Sequence, residues 1–79
     1  MMIKELDRIL TEPIPIESLE TGDVGTVAHV YRDGKAFEVE LTTLDGHTAA
    51  VVTVEASQVR PVGRREITHA RELAAPSVG

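Results

Sequence analysis

Two Asp-Gly dipeptides, Asp33-Gly34 and Asp45-Gly46, stand between runs rich in Val, Thr and Ala. Asp-Gly tolerates the positive φ angles of a type I′ turn, so each pair predicts a two-residue hairpin. The two turns constrain each other through the strand they share. With Arg32 and Lys35 flanking the first, Val30 opposes Phe37, Ala28 opposes Val39 and Thr26 opposes Leu41. With Leu44 and His47 flanking the second, Leu41 opposes Ala50, Val39 opposes Val52 and Phe37 opposes Val54. Side chains alternate along a strand. Both registers therefore put Thr26, Ala28, Val30, Phe37, Val39, Leu41, Ala50, Val52 and Val54 on one face, the predicted core. The opposite face then carries Val27, His29, Tyr31, Glu38, Glu40, Thr42, Ala49, Val51 and Thr53.

A three-stranded meander with one apolar face needs a cover. Leu6, Ile9, Leu10, Ile14, Ile16 and Leu19 upstream, with Val59 and Val62 downstream, are the side chains available for it. Residues 7–12 fit an edge strand and a short helical turn equally well. Residues 17–20 read as a turn leading into Gly22, and Glu55-Ala56-Ser57 suits one helical turn. Val59–Val62 reads as a last short strand, with Pro61 marking an edge position. The expected fold is all-β: a small five-stranded, mostly antiparallel SH3-like barrel over residues 1–62. A flexible or partly helical tail over residues 63–79 follows, with Ile67, Ala70, Leu73 and Ala74 at helical spacing.

Charge and composition limit the function. The chain has 79 residues, enough for one small domain and too few for a walled active-site cavity. It lacks cysteine, which removes thiolate nucleophiles and Cys-containing zinc sites together. Residues 1–8 carry no apolar leader and no later run is long enough to span a membrane, so the cytoplasm is the expected location. Residues 1–59 hold 11 acids against 4 bases, whereas residues 60–79 hold 2 acids against 4 bases. An acidic body repels phosphate backbones, and Arg60, Arg64, Arg65 and Arg71 are too sparse for a polybasic arm.

The string Leu19-Glu-Thr-Gly-Asp-Val-Gly-Thr-Val27 is followed by Tyr31, by Ala36-Phe-Glu-Val-Glu40, by Leu44-Asp-Gly46 and by Gln58-Val-Arg-Pro-Val62. Taken in order over roughly residues 5–62, these resemble the bacterial family catalogued as domain of unknown function 4926. The resemblance implies a small SH3-like fold and carries no catalytic residues. The Gly-Asp-Val-Gly-Thr-Val segment is also similar to the turn of KOW-type ribosomal and transcription-factor modules. Its physical content is a turn at which Gly22 and Gly25 permit angles and approaches that a Cβ would block. That need is structural and says little about ligands.

Chemistry-bearing residues are few. His29 and Glu38 should oppose each other on the outer face with Glu40 beside them, an arrangement that suits a solvated cross-strand pair better than a metal or acid–base site. His47 and His69 lie apart from it. Ser18, Ser57 and Ser77 have no base at a recognisable spacing, and no phosphate-cradling glycine motif occurs. With Tyr31 the lone aromatic outside the predicted core, neither a proline-rich-peptide groove nor a base-stacking platform can be built. No catalytic residue, metal or cofactor is expected. What remains is a non-enzymatic protein-binding module, with an unknown protein or a second copy of itself as partner. Its candidate surface is Val27, Tyr31, Glu38, Glu40 and Val51, with Glu17 and Glu20 on an acidic first loop that would steer toward a basic partner. The competing expectation is an RNA- or ribosome-associated module using the four C-terminal arginines, and a third is a structural subunit of a larger enzyme.

Overall fold

A computed structural model describes residues 7–73. Five strands form one sheet: β1 (Asp7–Leu10), β2 (Val24–Tyr31), β3 (Ala36–Thr42), β4 (Thr48–Glu55) and β5 (Val59–Pro61). Their order is β4-β3-β2-β1-β5, and every ladder is antiparallel. The only helical elements among the described residues are single 3-10 turns at Pro15–Glu17, Arg32–Gly34 and Ala56–Gln58. The choice left open at residues 7–12 falls to a strand, since residues 7–10 pair with β2 on one side and β5 on the other.

Connectivity curls this sheet. β4 and β5 are its two edges, yet the three-residue turn Ala56–Gln58 joins them. Three residues reach at most about 11 Å when fully extended, so the end of one edge lies beside the start of the other. No ladder joins β4 to β5 among the described residues, and the sheet stays open along that line. One apolar cluster fills the concave side, drawing Val52 and Val54 from β4, Val59 from β5, Val39 and Leu41 from β3, and Leu10 and Leu19 as cover. Leu10, Val39 and Val54 are the largest fully buried side chains.

The turn chemistry accounts for the first hairpin. Asp33 sits at φ 56°, ψ 37° and Gly34 at φ 92°, the angles of a type I′ turn, and the Lys35 N–H donates to the Arg32 carbonyl. The second hairpin differs from expectation. The Gly46 N–H donates to the Thr43 carbonyl and Gly46 has φ 95°, so Leu44, Asp45 and Gly46 form a three-residue loop ending in a left-handed glycine. A register shift between Leu41 and Thr42 absorbs the difference, with Thr42 opposite Thr48 and Ala49 as the extra residue. The pairs Leu41–Ala50, Val39–Val52 and Phe37–Val54 form as the turns predicted.

The predicted β2 face needs correction. Val30 opposes Phe37 as expected, but a bulge at Ala28 shifts the register and Val27, not Ala28, opposes Val39. One extra residue turns every preceding side chain over. Val27 is 6% exposed and belongs to the core, whereas Thr26 and Ala28 are exposed. Val30, predicted to be core, is 48% exposed. Beside the bulge, Gly25 is buried against β3, where a Cβ would stand 2.5 Å from Val39 Cγ1 and 2.9 Å from the Glu40 carbonyl oxygen. Gly22 answers the other glycine requirement, with φ 97° and open space around it.

Residues 63–73 contain no helix. Glu66 accepts both guanidinium nitrogens of Arg60, at 2.7 and 2.6 Å, and the Gly63 N–H as well. Farther on, Arg71 lands on the β1–β2 connection. The predicted contribution of Ala74 to a helical stripe, like that of Leu6 to the core, lies outside the described residues.

Candidate functional site

Two surfaces carry the polar chemistry, and different elements position them. The first is the convex face of β2, β3 and β4. Pairing sets His29 opposite Glu38 and Glu38 opposite Thr53, then Thr26 opposite Glu40 and Glu40 opposite Val51. The Tyr31 hydroxyl donates to Glu38 Oε2 at 2.9 Å, and the His29 and Tyr31 rings meet edge-on with centroids 4.4 Å apart. That hydrogen bond to a carboxylate, more than the partial loss of water, holds the Tyr31 phenol above its ordinary pKa. Thr48 Oγ1 donates to Glu40 Oε2 at 2.6 Å. Val51, 52% exposed, lies opposite Glu40 on the same face.

Four expected surface residues, Tyr31, Glu38, Glu40 and Val51, thus share one face. Val27 does not join them, because the Ala28 bulge turns it inward. His29 and Glu38 are opposed as the register requires, but no group of three His, Asp or Glu side chains among the described residues converges as a metal site would.

The second surface is the β1–β2 connection, where Glu17 is exposed and Glu20 and Asp23 meet the C-terminal segment. Asp23 folds back so that its Oδ2 accepts the Glu20 N–H at 2.8 Å, which fixes the carboxylate. Arg71 grips it with two nitrogens: Nε donates to Oδ1 at 2.9 Å, and an Nη donates to Oδ2. Arg71 also reaches the Ser18 carbonyl at 3.2 Å and Glu20 at 3.2 Å. Burial presses the Asp23 pKa upward, but Arg71 and the Glu20 N–H outweigh it and hold the carboxyl below its usual value. Between this strap and the body runs a cleft of about 630 Å³, floored by Leu19, Val24, Leu41 and Ala49.

This strap bears on both charged expectations. The acidic connection already holds a cation from its own chain, and two of the four C-terminal arginines, Arg60 and Arg71, are committed to carboxylates. Arg64 and Arg65 are exposed. Sequence reasoning missed the Asp23–Arg71 pair. Its one available signal was the opposite sign of the charge on body and tail.

The family model described as a domain of unknown function, DUF4926, matches residues 5–61. The chain belongs to that family. The match spans all five strands and the convex face, and ends before the segment bearing Arg71. No curated protein and no solved structure matches the chain. No helix among the described residues is long and apolar enough to cross a membrane.

Proposed function

We propose that this DUF4926 protein is a non-enzymatic docking module of the cytoplasm that presents the convex face of β2–β4 to another protein. The observation that carries the reading is the composition of that face. Val51 lies half exposed opposite Glu40, on the face that also carries the Tyr31–Glu38 hydrogen bond. A hydrogen-bonded aromatic and an exposed valine on one face with carboxylates between them suit a contact patch. Glu38 and Glu40 give it a negative sign, which favours a partner bearing cations. Such a face excludes no water, and so favours binding over chemistry.

The test is capture from host lysate by the tagged protein, with half of the sample treated with nuclease. One stoichiometric protein should survive nuclease and be lost from the variant Tyr31→Ala/Val51→Asp. Retention of that protein by the double variant would sink the assignment to this face. Loss of all recovered material on nuclease treatment would replace it with nucleic-acid binding.

A further inference from the structure

The two edges of the sheet differ. β5 is three residues long and ends at Pro61, which has no N–H to offer. β4 runs for eight residues, Thr48–Glu55, with no proline, no lysine and no charge before Glu55. A long uncharged edge strand with free backbone groups is a template for another strand, and it lacks most of the protections by which edges are usually blunted.

The free groups can be named. The Ala56 N–H donates to the Lys35 carbonyl, so residues 56 and 35 form a hydrogen-bonded pair of the β3–β4 ladder. Such pairs alternate along an antiparallel ladder. The β4 residues bonded to β3 are therefore 54, 52 and 50, while Val51, Thr53 and Glu55 turn their N–H and C=O outward. The Glu55 N–H is already taken by Gln58 Oε1 at 2.7 Å. At the other end, the bulge at Ala49 breaks the alternation. Among the described residues, Val51 and Thr53 are left as a matched set of two donors and two acceptors.

We infer that β4 pairs antiparallel with β4 of a second copy, with the two-fold axis at Val52. This goes beyond the docking reading above: the seam is the β4 edge, and the acidic convex face stays open to a partner bearing cations. Only this register uses every free group: Val51 exchanges both bonds with Thr53 of the other copy, and Thr53 with its Val51, making four hydrogen bonds. Moving the axis to Val51 would engage Ala49 within the bulge, and moving it to Thr53 would call on the occupied Glu55 N–H. The register also sets Glu55 opposite Ala49 of the other copy, which keeps the one charge of each strand away from its twin. Val51 then lies beside Thr53 of the second copy, and the two convex faces become one.

The seam can be tested without damaging the monomer. Thr53 does not bond to β3 through its backbone, so Thr53→Pro removes an outward N–H and no internal ladder bond. Sedimentation of the full chain over micromolar to millimolar concentration should show a species of twice the 8.6 kDa mass. Thr53→Pro should weaken it by at least about tenfold. Val51→Lys, a side-chain change at the edge, should weaken it in the same direction. Mixed labelled and unlabelled copies should give an Hα–Hα cross-peak between the two Val52 residues. A dimer that persists in both variants, or lacks that cross-peak, overturns the seam. A chain that stays monomeric at millimolar concentration yet still captures a protein through Tyr31 overturns the pairing and leaves the docking reading standing.

Discussion

Gly25 shows how much one missing methyl group can fix. A Cβ there would meet both the Val39 side chain and the Glu40 backbone oxygen, and the backbone oxygen cannot rotate away. Gly25→Ala should therefore destabilise the fold by about 1–3 kcal/mol, read as a lower urea midpoint at unchanged slope. Glu66 offers a second residue-scale test. The Arg60 guanidinium, and after it the Gly63 N–H, hold its carboxyl down to about 2, from an ordinary value of 4.5. A carboxylate depressed in the folded state adds stability that is full above its unfolded pKa and is lost as pH falls through its folded one. The Arg60–Glu66 contact should thus weaken between pH 4.5 and about 2. An NMR titration of the Glu66 side chain should show the low midpoint, and Arg60→Ala should raise it. An unchanged midpoint in that variant would remove Arg60 as the cause.

At the scale of elements, the bulge in β2 decides which valine is inside. Val27 and Val51 both read from sequence as outer-face residues, yet they occupy opposite environments. Val27→Asp would bury an unpaired carboxylate and should cost about 3–5 kcal/mol, enough to unfold a domain this small. Val51→Asp should stay within about 1 kcal/mol of the parent. Circular dichroism and urea unfolding of the two variants side by side would check the face assignment. The β3–β4 pairing was legible because two glycine turns at fixed spacing overdetermine it, and the error at Asp45-Gly46 cancelled in the bulge at Ala49. The β2 pairing was legible only next to its turn. Ala28 resembles any strand residue, and a bulge that inserts one such residue leaves no mark in the composition. On the convex face, Tyr31, Glu38, Glu40 and Val51 could be grouped because all but Tyr31 lie beyond the bulge's influence, and Tyr31 lies on its turn-proximal side.

Across the whole molecule, Arg71 joins the C-terminal segment to a loop 48 residues away. The opposite charge of body and tail hinted that the two attract, but strand and helix periodicity cannot pick out which exposed side chains meet at that separation. The pair is partly exposed, so its loss should change global stability by no more than about 1 kcal/mol. Its effect should be local. In Arg71→Ala, trypsin should cut after Arg64 and Arg65 up to about fivefold faster, while the unfolding midpoint scarcely moves. Equal cleavage rates in the two proteins would show that the strap does not restrain the segment.

The short turn between the two sheet edges also has a kinetic side. The β2–β3 and β3–β4 hairpins close loops of a few residues, whereas β1 meets β5 across some fifty positions of chain. Loop-closure entropy penalises that last pairing most, so the meander should be organised in the folding transition state and the β1–β5 ladder should not. Truncations at Val54 should then slow folding, while truncations at Ile9 should chiefly speed unfolding. The chain would assemble from its middle outward, and the two ends would be the last to meet.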